Sequence, residues 1–119
     1  NSARIVKEVG PRIKQSGFHG VMICISNPCD VIAQLMQQES GLPAHAVFGT
    51  GTSLDTARLH RAVATADNKS ITDVAGYVIG EHGETQFAAW SSVTVNGCAM
   101  TKIATEQQLN LDELEKDAH

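Results

Sequence analysis

The sequence predicts an α/β fold built from two partial domains, and three features carry the prediction. An apolar segment at residues 21–25 runs into a helical pattern, which is half of a βαβ unit. Glycine-rich Gly49-Thr50-Gly51-Thr52 then breaks the alternation, and beyond it a second helical pattern is followed by β-branched segments of hairpin type. The change places a domain boundary near residues 50–54, giving portions 1–52 and 53–119.

Each element has a local reason. Ile5, Val6, Val9 and Ile13 recur at helical spacing, with Pro11 expected to interrupt or kink the helix. After the Gly17-Phe18-His19-Gly20 loop, residues 21–25 are apolar on both faces, the pattern of a central parallel strand covered by helices on each side. Pro28 suits a first helical position. Val31, Ile32, Leu35 and Met36 continue a helix to about Glu39, and Gly41 and Pro43 stop it. Residues 46–48 read as a short strand. Ser53 or Asp55 is the expected cap of a helix reaching about Ala66, and residues 67–70 are a turn. Residues 74–80 and 87–95 read as strands joined by a polar corner at 81–84, with Asn96-Gly97 as a hairpin turn. Leu109, Leu111 and Leu114 mark one amphipathic tail helix starting near Thr105 or Asn110.

Composition narrows the function. The 119 residues hold 9 Lys+Arg against 13 Asp+Glu, a formal net charge of −4, with no run of basic residues. Nucleic-acid or anionic-membrane binding needs clustered Lys and Arg, so neither is expected. No apolar stretch approaches the ~20 residues of a membrane span, and the amino terminus has no secretory pattern. Cys24, Cys29 and Cys98 lack the spacing of a disulfide framework or zinc site. A cytoplasmic protein without a metal is expected.

Three places hold residues suited to chemistry. Asn27 ends the parallel strand, where ligands collect in open α/β sheets; its side chain either caps the next helix or offers a donor and an acceptor to a ligand. Asp55 and Arg58 lie three apart on one helix face, as a surface ion pair or as parts of a site. The preceding glycines let backbone approach a ligand, and a guanidinium fits a carboxylate in bidentate fashion. His82, within Gly80-Glu81-His82-Gly83, is either solvent-exposed or an acid/base group, since imidazole has a reference pKa of ~6.5. The other histidines, His19, His45, His60 and His119, read as surface residues. Cys29 with His82 and Asn27 would make a cysteine hydrolase, but nothing near Cys29 specifies an oxyanion hole.

Together, Ser26-Asn27-Pro28-Cys29-Asp30, Gly49-Thr50-Gly51-Thr52-Ser53-Leu54-Asp55-Thr56-Ala57-Arg58 and Gly80-Glu81-His82-Gly83-Glu84-Thr85-Gln86 resemble the L-lactate dehydrogenase family in order and spacing. Phe87-Ala88-Ala89-Trp90-Ser91 and Asn27-Pro28-Cys29-Asp30 most resemble its L-2-hydroxyisocaproate dehydrogenase branch. The resemblance implies the second half of a Rossmann-type dinucleotide-binding domain followed by the start of an α+β substrate domain. It implies NAD as cofactor and a small 2-hydroxy or 2-oxo acid as substrate. His82 would exchange the proton, Asp55 would orient His82, and Arg58 would clamp the substrate carboxylate. Asn27 would bond the reacting oxygen, and Ile25, Ser26, Asn27 and Thr50 would lie along the cofactor.

The family's glycine-rich phosphate turn, its mobile loop with a second arginine and its later threonine strand are not in these residues. The chain therefore reads as an internal piece, inactive alone and inclined to self-associate through open sheet edges as a homo-oligomer. Members activated by fructose 1,6-bisphosphate carry a basic residue and a histidine where His60 and Ala75 stand, so such activation is not expected. Two alternatives stay open: a malate dehydrogenase of lactate dehydrogenase-like type, and a truncated module that only folds or associates.

Overall fold

Helix α1 covers Ser2–Gln15 in a computed structural model that describes residues 2–119. It belongs to the first of two units, which are divided between Gly51 and Thr52. Pro11 does not interrupt it. Proline removes a single N–H from the helical ladder, and burial of Val6 and Gly10 where α1 packs on a second helix holds the remaining turns together. That partner is α2, Cys29–Glu39. Pro28 caps α2 from an extended conformation instead of entering it, so the helix begins one residue later than the first-position reading.

Helix α2 is the crossover between two parallel strands, β1 (Met22–Cys24) and β2 (Val47–Gly49), in register Met22 to Val47 and Cys24 to Gly49. A short 3-10 turn at Ala44–Ala46 leads into β2. The expectation of a central strand covered on both faces is corrected here. Among the described residues β1 pairs with β2 alone, and only one face is covered, since Cys24 is buried while Ile23 is 56% exposed. Side chains alternate along a strand, so the helices reach only every second residue. Val6, Cys24, Ile32, Ala33, Leu42 and Val47 form the core of this unit.

Gly10 marks the closest helix approach. A methyl built there overlaps Glu39 Cβ and lies 3.2 Å from the Glu39 main-chain carbon, neither of which is the end of a flexible side chain. Gly10→Ala is therefore expected to destabilise the α1–α2 packing by about 1–3 kcal/mol, the usual cost of overpacking. Hydrogen exchange of the α1 and α2 amides checks this, and unchanged protection would contradict it.

In the second unit α3 spans Ser53–Ala66. Thr52, not Ser53 or Asp55, holds the cap position, and its hydroxyl is used elsewhere. The two long strands expected over 74–80 and 87–95 are instead four short ones. β3 (Val74–Ala75) pairs with β6 (Thr94–Val95), and β4 (Val78–Ile79) pairs with β5 (Phe87–Ala88), all antiparallel. A 3-10 turn at Trp90–Ser92 makes one of the breaks. Asn96-Gly97, both at positive φ, turn β6 into β7 (Cys98–Ala99), the hairpin its sequence signals.

The tail holds two helices where one was expected. α4 (Met100–Gln107) ends at Gln108 in the left-handed region, and α5 (Leu111–Asp117) starts at Asn110, whose side chain accepts from the Asp112 and Glu113 amides. Leu59, Val63, Val74, Val78, Val93, Val95, Met100 and Ile103 form the second core. Among the described residues no helix is long and apolar enough to cross a membrane.

Candidate active site

The site residues of the second unit are set by how β4 is fastened to α3. Both main-chain groups of Val78 are taken by threonines of the helix start: Thr52 Oγ1 donates to the Val78 carbonyl at 2.6 Å, and the Val78 amide donates to Thr56 Oγ1 at 3.0 Å. The strand leading to the histidine loop is thus pinned to the helix carrying Asp55. Gly80 (φ +97°) and Gly83 (φ +144°) bracket the loop in conformations that side chains rarely adopt, which explains the glycines on either side of His82.

Asp55 is only 2% exposed, and His82 Nδ1 lies 2.7 Å from its Oδ2. A carboxylate only accepts, so the Nδ1 hydrogen donates to it. Nε2 is then the atom left to take up or release a proton, on a side chain that keeps 30% of its surface open. Gln86, also buried, closes the arrangement. Its Oε1 accepts the Gly83 amide at 3.1 Å, and its main-chain N–H donates to the Gly83 carbonyl at 3.3 Å.

Burial by itself pushes the Asp55 carboxyl up. The hydrogen bonds from Gln86 and His82, the histidine's charge and Asp55's own backbone amide together outweigh burial and hold it below the ordinary value of 3.8. A carboxyl lowered by folding contributes stability that is complete above its unfolded value and is lost as pH falls through its folded one. Asp55→Asn is therefore expected to lower Tm at pH 7, with the gap to the parent closing as both are taken to about pH 2–3. A constant gap across that range would contradict this.

Arg58, one turn beyond Asp55 on α3, is exposed. It donates to the His119 main-chain carbonyl at 3.4 Å, and among the described residues it has no carboxylate ion-pair partner. The surface-pair reading of Asp55 with Arg58 is set aside, because Asp55 is buried and committed to His82. His60 is no free surface residue either: it is half-buried, with Nε2 2.7 Å from the Gly76 carbonyl.

Ile25, Ser26, Asn27 and Thr50 fall at the carboxyl ends of β1 and β2 in the first unit, all exposed, Ile25 by 76%. The Thr50 amide donates to the Cys24 carbonyl at 3.1 Å, which holds the two strand ends together. No Asn27 side-chain cap bond supports α2, whose cap position Pro28 occupies. Cys29 is buried and its thiol donates to the Cys24 carbonyl at 3.3 Å, the setting of a structural thiol and not of a nucleophile.

Sequence reasoning assigned no role to Gln86, Thr52 or Thr56. Gln86 lies in the quoted loop motif, but nothing in its spacing says that a buried amide is needed there. Thr52 and Thr56 carry one recoverable signal, hydroxyls four apart on the first turn of a helix.

The first unit is thus a βαβ segment with polar residues at its strand ends, and the second is an α/β unit in which a buried carboxylate holds a loop histidine. Comparison with known proteins narrows this class. Residues 1–49 match the lactate/malate dehydrogenase NAD-binding domain, and residues 52–118 match the lactate/malate dehydrogenase alpha/beta C-terminal domain. The chain is 42% identical over 116 residues to the L-lactate dehydrogenase of Mesoplasma florum, covering 98% of this chain and 37% of that protein. It is 43% identical over 112 residues to the L-lactate dehydrogenase of Limosilactobacillus reuteri, covering 94% of this chain and 35% of that protein.

Among solved structures, the minor L-lactate dehydrogenase of Enterococcus mundtii superposes with a TM-score of 0.89 at 37% identity, over 98% of this chain and 38% of that one. The lactate dehydrogenase of Eimeria maxima with NADH and oxamate gives 0.88 at 29% identity, over 98% and 37%. The chain belongs to the lactate/malate dehydrogenase family. It spans little more than a third of the length of the relatives it matches.

Proposed function

We propose that the protein is an NAD-dependent oxidoreductase that moves a hydride between nicotinamide and C2 of an L-2-hydroxy acid of the lactate or 2-hydroxyisocaproate type. The observation that carries the reading is the buried Asp55 carboxylate holding His82 Nδ1 at 2.7 Å. It leaves Nε2 as the one ring atom free to exchange a proton with a substrate oxygen. The relatives' names, and the Eimeria maxima structure with NADH and oxamate, support the same chemistry.

When bound, the nicotinamide supplies or accepts the hydride. The residues at the strand ends suit such a group: Ile25 offers an exposed apolar surface, Ser26 and Asn27 offer hydrogen-bonding groups, and the space beside Gly51 is open. We assign Ile25, Ser26, Asn27 and Thr50 to cofactor contact and Asn27 also to the substrate. Arg58 supplies two parallel N–H donors for the substrate carboxylate. His82 gives its Nε2 proton to the ketone oxygen in reduction and takes the hydroxyl proton in oxidation, while Asp55 fixes the ring.

Relatives are nearly three times as long, so the 119-residue chain is expected to be inactive alone. The open edges of β1 and β2, with Ile23 and Phe48 exposed beside them, support self-association into a homo-oligomer; sedimentation as a compact monomer would contradict that part. Free cysteines agree with a cytoplasmic setting.

The experiment is NADH oxidation with pyruvate, 2-oxoisocaproate and oxaloacetate, after the protein's intact mass has been measured. A protein of the relatives' length is expected to turn over pyruvate or 2-oxoisocaproate, the rate ratio naming the side chain preferred. Preference for oxaloacetate would replace the reading with a malate dehydrogenase, and turnover by a 12.7 kDa species would overturn the expected inactivity of the piece.

A further inference from the structure

Two ties run between helix α3 and the segment that leads to the histidine loop, and they leave α3 at adjacent residues. Asp55 reaches His82 Nδ1 at 2.7 Å. Thr56, the next residue, reaches Val78, four positions before the histidine: its Oγ1 accepts the Val78 amide at 3.0 Å and donates to the Val78 carbonyl at 3.5 Å. Thr52 Oγ1 donates to the same carbonyl at 2.6 Å, and the Thr56 amide donates to the Thr52 carbonyl at 2.8 Å, so the two threonines are held together at the start of the helix.

Val78 needs such partners. It is buried, and among the described residues β4 pairs with β5 alone, which leaves one edge of β4 without a strand. The N–H and C=O of one residue in an antiparallel strand point to the same edge, and buried main-chain groups are costly when unpaired. The threonine hydroxyls stand where a further strand would. Between Val78 and His82 lies Gly80 at φ +97°, with no side chain to fix the path of the chain.

We propose that Thr56 is a positioning residue for the Asp55–His82 pair: its hydroxyl sets how β4 stands against α3, and with it the approach of the imidazole to the carboxylate. Neighbouring anchors on one helix fix both a distance and a direction for residues 78–82, whereas the Asp55 contact alone fixes only a distance. Valine at position 56 would keep the branched shape but leave the buried Val78 amide without its acceptor, and serine would keep the hydroxyl.

The inference rests on the reading of Asp55 and His82 as the proton-transferring pair, and the test keeps the two apart. By NMR on this chain, solvent exchange of the His82 Nδ1 proton and of the Val78 amide is measured in the parent, Thr56→Val, Thr56→Ser and Val95→Ala. The parent is expected to protect both protons. Thr56→Val is expected to quicken both about threefold to tenfold, the effect of one lost hydrogen bond, and Thr56→Ser to stay within about twofold of the parent. Val95→Ala hollows the same core away from the tie, and is expected to lower Tm while leaving Nδ1 exchange unchanged. Thr56→Cys, whose sulfur is a weaker acceptor, is expected to quicken both protons in the same sense and is the arm to read should the valine variant not fold.

A parent whose Nδ1 proton exchanges freely would overturn the pair itself, and the proposal with it. A parent that protects this proton, beside a folded Thr56→Val or Thr56→Cys protein that protects it equally, would overturn the proposal alone. Quickening that Thr56→Ser fails to prevent, or that Val95→Ala reproduces, would make Thr56 a packing residue and overturn it as well.

Discussion

Substituting His82 with Asn is expected to lower kcat for 2-oxo acid reduction about 10²–10⁴-fold in a chain of the relatives' length, the span general acid–base catalysis contributes. Asn occupies a similar volume and hydrogen-bonds, but it neither carries nor releases a proton near neutrality. NADH affinity is expected to stay within about twofold, because the residues assigned to the cofactor lie at the strand ends of β1 and β2 and not on the histidine loop. Steady-state rates with a fluorescence titration of NADH check both halves. A His82→Asn protein with parental kcat would remove His82 from the chemistry, and lost NADH binding with unchanged kcat would make the residue a binding group.

The second large effect is at Arg58. Its guanidinium is exposed, and among the described residues it donates to the His119 main-chain carbonyl at 3.4 Å and pairs with no carboxylate side chain, which suits it to an anion. Arg58→Lys keeps the charge but replaces a planar fork with a point charge, so one of two parallel charge-assisted hydrogen bonds is lost. Such a bond is worth about 1.5–3 kcal/mol, which corresponds to roughly a 10- to 150-fold fall in kcat/KM for the acid. The preference for a 2-oxo acid over its uncharged amide is expected to shrink by the same factor. An Arg58→Lys protein with parental preference would show that the carboxylate is held elsewhere.

Legibility in the sequence followed the range of the interactions. Asn96-Gly97 announced its hairpin, because the required positive φ values belong to those two residue types. The βα alternation before Gly51 announced the parallel pair and its crossover helix. Helix α4 is not legible because its buried residues, Met100, Ile103 and Ala104, are spread among Thr, Lys, Gln and Glu and become an apolar face only when packed. The strands of the second unit are shorter than their β-branched content predicts, because that content says nothing of where a 3-10 turn breaks pairing. At the site, Asp55 and His82 are 27 residues apart, and local spacing alone left each with two readings. Resemblance joined them first, and the 2.7 Å contact gives the junction a geometry. The buried Gln86 amide had no sequence signal, since a glutamine in a polar loop reads as solvated.

The central claim is that His82 Nε2 carries the proton, and the pH dependence of the two reaction directions tests it most directly. Reduction of a 2-oxo acid needs the protonated ring and oxidation of a 2-hydroxy acid the neutral one. The logarithm of kcat/KM is therefore expected to fall with rising pH for reduction and with falling pH for oxidation, and both dependences are expected to vanish in His82→Asn. Profiles that run in the same direction for both reactions, or that persist unchanged in His82→Asn, would assign the proton to another group.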